Sequence, residues 1–297
     1  MTLSVAIGGV RARVESSDAC PRPAMVRPAS TSHTSYGKQM TKTIFVTEGA
    51  DGWGEYIARV LVDAGHTVYV GEGQGGIEST PVGAVSDDGA EARHKGLRTV
   101  TFEALDQYSI AAAVHKIVDE TDGIDVVIYT ASQATFGPAE SFTPYQLSQV
   151  YDIGVLSVQR ITRAVLPSMR ERRDGLLIWV GASVDPRPAP LAGPGHAVRA
   201  ALQQLAASYA TELATFGIDA TFLTYSPEHL LDTQVASAPL QPGDSDTAQA
   251  YRQVVERGLP LPEQQSFDPA AHARKVAECV SSIIDAPQGS RPARVTL

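Results

Sequence analysis

A chain of 297 residues, 43% hydrophobic and 19% charged, holds enough apolar material for one sizeable core. Its net charge of −9, with no Lys/Arg-rich stripe, excludes nucleic acid as the main partner, because phosphate binding needs clustered cations. No run of about 18 apolar residues exists to span a membrane. The two cysteines, Cys20 and Cys279, are too few for a disulfide framework and sit in no metal-ligand spacing, so free thiols in a reducing cytoplasm and no metal are expected.

Residues 1–39 read as a disordered N-terminal extension: Pro21, Pro23, Pro28 and the polar run from Ala29 to Ser35 show no period that would bury a face. Leu3 to Val10 precedes Arg11 and Arg13, the reverse of a secretory signal, and Glu15 and Asp18 interrupt any transit-peptide character. Met40, just before the first strand, serves equally well as a start. From Thr43 onward, β-branched runs alternate with helical patterns. Strands are predicted at Thr43–Thr47, Thr67–Val70, Leu97–Phe102, Ile124–Tyr129, Leu176–Val180 and Ile218–Thr224, with an edge strand at Arg294–Thr296. Helices are predicted at Gly54–Ala64, Ile110–Val118, Pro144–Arg172, His196–Phe216 and Pro269–Ile284. Apolar strands separated by helices mean a parallel sheet covered on both faces, a Rossmann-like doubly wound α/β fold in a single domain over residues 40–297. Ligands bind such sheets beyond the carboxyl ends of the strands, so the turns after Val46, Val70, Ile128, Val180 and Leu223 line the expected site. Residues 226–266, rich in Pro, Gly, Gln and Asp, read as a lid loop.

The turn Thr47-Glu48-Gly49-Ala50-Asp51-Gly52-Trp53-Gly54 resembles the Thr-Gly-x-x-x-Gly-x-Gly turn of the short-chain dehydrogenase/reductase family. The likeness continues in order and spacing. Gly123 to Ser132 resembles the strand and Asn-Asn-Ala-Gly wall, and Tyr151 to Leu156 the segment holding the catalytic Asn. Gly175 to Ser183 resembles the strand leading to the catalytic Ser. Gly195-His196-Ala197-Val198-Arg199-Ala200-Ala201-Leu202 stands in the place of Tyr-x-x-x-Lys-Ala-Ala-Leu. The resemblance implies a tetrad in which Tyr is the general acid/base, Lys lowers its pKa and holds the ribose, Ser orients the carbonyl, and Asn holds a relay water. Here those positions carry Gly195, Arg199, either Ala182 or Ser183, and Gly154.

The cofactor turn is altered too. Glu48 replaces the first family glycine, and near a pyrophosphate its charge costs roughly 1 kcal/mol in water and several times that at lower dielectric. Trp53 replaces the aliphatic residue beside the nicotinamide; Tyr129 and Ser132 alter the Asn-Asn-Ala-Gly wall; Tyr225-Ser226 stands for Pro-Gly. No Arg follows the second strand at Gly71-Glu72-Gly73-Gln74 to clamp an NADPH phosphate. Gly52 and Gly54 remain, and Glu103 sits near the family's adenine-contacting Asp. On this reading no cofactor is expected, with NAD(P) disfavoured.

Candidate catalytic groups are therefore Arg199, His196, Ser183, Tyr129, Tyr225 and Glu48, with Trp53, Ser132, Gly195 and Gly154 lining the substrate space. Each also has a plainer reading: Glu48 as a solvated turn residue, Trp53 as filler, His196 as a helix-start residue, Arg199 as a structural ion pair, Ser183 as a turn cap and Tyr225 as aromatic packing. The first functional reading is a family member that has lost NAD(P)-dependent redox activity and acts as a cofactor-independent cyclase, isomerase or lyase on a small molecule of specialised metabolism. The second is a non-catalytic pseudoenzyme acting as partner or ligand sensor. The third is an NAD(P)-dependent oxidoreductase with displaced catalytic groups. The resemblance further implies a homodimer or homotetramer built through the two long helices.

Overall fold

The computed structural model describes residues 41–48, 53–74, 96–130, 135–182, 191–225, 240–252 and 269–297. Within them the strands are β1 (Thr43–Val46), β2 (Thr67–Gln74), β3 (Leu97–Glu103), β4 (Val126–Tyr129), β5 (Gly175–Ala182), β6 (Ile218–Tyr225) and β7 (Arg294–Thr296). The helices are α1 (Trp53–Asp63), α2 (Gln107–Glu120), α3 (Pro144–Tyr151), α4 (Ser157–Arg172), α5 (Gly193–Leu213), α6 (Ser245–Ala250) and α7 (Pro269–Asp285). All strands are parallel, in the order β3-β2-β1-β4-β5-β6-β7. This is the doubly wound, Rossmann-like sheet that the sequence pattern predicts.

Strand alternation divides the apolar side chains between two layers. Ile44, Val46, Val126, Ile128 and Ile178 face α1 and α7, packing on Ile57, Leu61, Val276, Val280 and Ile284. Phe45, Val127, Tyr129, Leu177 and Trp179 face the other way, onto Ile117, Val158, Ile161, Val165 and Leu213 of α2, α4 and α5. Burial on both faces explains why the central strands read as continuous apolar runs.

Three boundaries differ from the sequence reading. β2 continues to Gln74, paired with β3 as far as Glu103. Gly71 permits this, because a Cβ there would lie 2.3 Å from the Thr47 carbonyl oxygen and 2.6 Å from Cε1 of Phe102. α5 begins three residues earlier than expected, with a proline in its first turn, where a missing N–H costs nothing. The single helix expected over Pro144–Arg172 is interrupted by a π turn at Asp152–Leu156. Gly154 lies in that turn, and a Cβ on it would sit 2.3 Å from Cγ1 of Val198. The bare backbone lets α5 approach closely, and the π turn accommodates the crossing.

Of residues 226–266, the segment 240–252 is described, and the rest of the expected lid lies outside the described residues, as do residues 1–39. Its beginning is fastened to the chain entering α3. Thr135 bridges Leu240, and the Gly243 N–H donates to Gln146 Oε1 at 2.8 Å. Gln146 Nε2 donates to the Gln241 carbonyl at 2.9 Å. Gln146 also closes the capping box of α3 with Thr143, so one side chain secures both a helix start and this strap. No described helix is long and apolar enough to cross a membrane. Among the described residues, no three His, Cys, Asp or Glu side chains gather to hold a metal.

Candidate functional site

The strand order reverses between β1 and β4, and the crevice of a doubly wound sheet opens beyond the carboxyl ends at such a reversal. Here the two ends are bound together: the Thr47 N–H donates to the Ile128 carbonyl at 2.9 Å, and the Thr130 hydroxyl donates to the Glu48 carbonyl at 2.8 Å. Glu48 itself is exposed. Thr47 is buried, and its Oγ1 has no hydrogen-bond partner. α1 starts beside this edge, with Gly54 buried as its second residue. Its first-turn N–H groups have no acceptor within the helix and carry the positive end of the helix dipole. Glu55 in that turn is drawn to Arg59 at 2.6 Å. Gly52, Ser132, Ser183 and the side chain of Trp53 lie outside the described residues.

Two expected site residues are placed elsewhere. Tyr129 is buried in the layer beneath α4 and α5: its phenol oxygen lies 2.7 Å from Thr162 Oγ1. Its ring stacks on Trp179 at 5.2 Å, and Trp179 stacks on Tyr209 at 6.0 Å. Burial drives the Tyr129 pKa far up, with Thr162 pulling it back only partly. It is a core residue, corrected from a catalytic one by strand parity, which turns its side chain toward the same helices as Val127. Gly154 lines no substrate space either, since Val198 fills the volume above it.

The start of α5 does face the strand ends. The Gly195 N–H donates to Thr135 Oγ1 at 2.9 Å, so a buried threonine hydroxyl occupies the surroundings of the missing side chain. Thr135 was not foreseen, because a lone threonine beyond the fourth strand carries no distinguishing pattern. His196 is half-buried on the first turn, its N–H bonded to the Ala192 carbonyl at 3.0 Å. Arg199, one turn on, is half-buried, and its Nε has no partner. Burial lowers its pKa, and the Tyr225 phenol raises it again. Tyr225 closes β6 opposite Ala182 of β5. Burial pushes its phenol up to about 12, with Arg199 acting to lower it. Its ring meets His272 of α7 edge-on at 5.8 Å; that histidine, in the first turn of a helix distant in sequence, was also not foreseen. Glu103 ends β3 half-buried, its N–H donating to Ser109 Oγ at 2.9 Å. Glu72 is exposed on the part of β2 that runs past β1.

Comparison with known proteins bears on this edge. The family model for short chain dehydrogenase matches residues 42–228. A protein of Streptomyces virginiae named for the ketoacyl reductase of the monensin polyketide synthase is 30% identical over 180 residues, 60% of this chain and 67% of that one. A short-chain dehydrogenase structure from Streptomyces avermitilis superposes with a TM-score of 0.67 at 23% identity, covering 87% of this chain and 89% of that chain. A 3-ketoacyl-(acyl-carrier-protein) reductase from Brucella melitensis, complexed with NADH, superposes with a TM-score of 0.61 at 17% identity, covering 86% and 95%.

These findings overturn two expectations, that redox activity has been lost and that no cofactor is used. The matched proteins are named as reductases and dehydrogenases, and one of the shared folds holds NADH. The physical reason is that glycine at position 195 removes one proton donor without removing the crevice, the start of α1, or the cation at position 199. Dinucleotide binding depends on those features rather than on the tyrosine.

Proposed function

The chain belongs to the short chain dehydrogenase family, and on that premise we propose that it is an NAD(P)-dependent oxidoreductase acting on the carbonyl or hydroxyl group of a small molecule. The observation that carries this reading is the unpartnered Nε of Arg199, one turn into α5 from Gly195. A buried donor left unsatisfied costs on the order of 1–3 kcal/mol, and ribose hydroxyls supply the acceptor it lacks. Thr47 Oγ1, buried and unpartnered just past the end of β1, is a second orphan. Both fit a bound dinucleotide. The first turn of α1 and Gly54 would hold its pyrophosphate, and Arg199 its ribose. When bound, the dinucleotide supplies or accepts hydride. Glu72, exposed on β2 where a 2′-phosphate clamp would need a cation, favours NADH over NADPH.

The same reading includes a cytoplasmic protein whose partner is a small-molecule substrate, assembled as a homodimer or homotetramer through α4 and α5. Light scattering at two or four times the chain mass supports the assembly, and a monomer removes it. Calorimetry with NAD⁺, NADH, NADP⁺ and NADPH tests the cofactor. Binding of NADH tighter than about 100 µM, roughly −5.5 kcal/mol, is expected. Absence of binding by all four refutes the proposal.

A further inference from the structure

We propose that Arg199 binds the carboxylate of the substrate, so that the molecule acted on here is an oxo or hydroxy acid. This rests on the oxidoreductase reading and deepens it by naming the substrate class. The argument begins with the face of α5 that Arg199 occupies. Gly195, Arg199, Leu202, Ala206, Tyr209 and Leu213 follow one another at steps of three or four residues, the spacing of a single helical face. Leu202, Ala206, Tyr209 and Leu213 pack into the core layer between this helix and the sheet. Arg199 thus stands on the sheet-facing stripe, where the period calls for an apolar side chain. After Gly195 it is the member of the stripe nearest the carboxyl ends of the strands, because α5 follows the end of β5 and runs back along the sheet to β6.

A sheltered cation ordinarily has a carboxylate beside it, since a charge removed from water without a partner is costly. Two other arginines of this protein show the usual solution: Arg291 is bound to Asp219 at 2.8 Å and Arg160 to Asp152 at 2.6 Å. Arg199 differs from both. Its Nε is shut off from solvent with no acceptor, and among the described residues no hydrogen bond or ion pair holds the rest of the guanidinium. Burial acts to lower its pKa, as it does for any desolvated cation.

The turn before Arg199 leaves the guanidinium open to a ligand. A helical side chain leans back over the turn N-terminal to it, which directs Arg199 toward Gly195, where no side chain intervenes. The Gly195 N–H is already taken by Thr135 Oγ1 at 2.9 Å. α5 starts after Ala192 without a side-chain cap and with no acid in its first turn, so the described helix start offers no anion of its own. Ribose hydroxyls satisfy a donor such as Nε, but they are neutral and leave the charge uncompensated. A lysine would meet them equally well with a single point charge; the arginine adds a planar fork of Nη donors that matches the two oxygens of a carboxylate. One guanidinium balances one negative charge, which suits a carboxylate better than a phosphate dianion.

The test uses pyruvate, acetoacetate and levulinate, each beside its methyl ester, with NADH as the reductant. Wild type should reduce at least one acid with a kcat/KM about tenfold or more above that of its ester. Arg199→Gln should bring that ratio to about one, and Arg199→Lys should leave it in between, each variant being checked for an unchanged fold by circular dichroism. Taking the ratio within each protein cancels any common loss of NADH affinity. In protein isotope-labelled at the arginine Nε, the NMR resonance missing from Arg199→Lys should shift in wild type on addition of the preferred acid and stay in place with its ester. Esters reduced as well as the acids, an NADH-bound wild type that reduces none of the acids, or a resonance unmoved by all three acids overturns the proposal and leaves dinucleotide binding standing. A shift by an acid in a wild type that binds no dinucleotide keeps the carboxylate site and overturns the oxidoreductase reading.

Discussion

Restoring asparagine at position 154, the residue that the family resemblance calls for, should damage this protein instead of repairing it. A Cβ on Gly154 would lie 2.3 Å from Cγ1 of Val198 and 3.7 Å from its Cβ, against an ordinary carbon–carbon contact of about 3.5–4.0 Å. Valine in a helix is confined largely to one χ1 rotamer, so Val198 cannot swing its methyl aside without strain or movement of α5. Overpacking of this kind costs about 1–3 kcal/mol, and the gain in helix propensity from Gly to Asn offsets only roughly 0.5 kcal/mol. For a folded body of this size the net loss lowers Tm by about 2–10 °C. Val198→Ala removes the clashing methyl from a half-buried position and alone should cost about 1 kcal/mol. The double variant should then be more stable than the sum of the single changes, with a coupling of about 1–2 kcal/mol. Thermal and urea unfolding of the four proteins measures this cycle. Additive effects, or a Gly154→Asn protein as stable as wild type, would show that the contact between the π turn and α5 does not constrain position 154.

His66 is 4% exposed, with Nδ1 accepting the Lys42 N–H at 3.3 Å. Burial, partly opposed by Asp285, holds its pKa below the usual 6.5. The folded state therefore prefers the neutral ring, and its contribution is present above about pH 6.5 and lost as pH falls through the lower folded value. Tm measured from pH 7.5 to 5 should fall more steeply for wild type than for His66→Gln, and parallel curves would refute this. Arg291 and Asp219 form a buried pair at 2.8 Å, with side chains only 5% and 13% exposed. Arg291 is also bonded to the Ile283 and Ile284 carbonyls. Asp219→Ala strands that cation and should cost about 3–5 kcal/mol, whereas Asp219→Leu with Arg291→Met should cost clearly less in chemical denaturation. Glu72→Ser should improve NADPH binding relative to NADH by about tenfold, the effect of removing one carboxylate near a phosphate. An unchanged ratio in calorimetry would place the 2′-position away from β2.

The architecture was legible because the central strands β1, β4 and β5 are nearly continuous apolar runs and most helices keep their period, signals that survive without any knowledge of the site. What the sequence concealed has specific causes. The π turn at Asp152–Leu156 keeps a helical apolar pattern, so nothing in the residue order separates α3 from α4. The continuation of β2 through Gly71-Glu72-Gly73-Gln74 has no alternation to detect, since it is held by backbone pairing with β3. Tyr129 is different: its parity with Val127 turns it toward α4 and α5, so the simple period of the strand, not its place in a family motif, decides where its side chain goes. Thr135 and His272 reach the site through long-range packing, which no local pattern announces.

Side-chain loss at family positions does not by itself dismantle a dehydrogenase edge, because such an edge combines separable physical tasks. The pyrophosphate is held by backbone N–H groups at a helix start, which no substitution of a catalytic tyrosine removes. On the proposed reading the ribose requires a donor, and the Arg199 Nε is one that lacks a partner. Only proton donation required the side chain that glycine at position 195 lacks, and a proton needs a nearby acid, not one on a particular element. Binding and proton transfer can therefore fail independently, and Arg199→Gln should weaken NADH binding in calorimetry, an unchanged affinity showing that the ribose is held elsewhere.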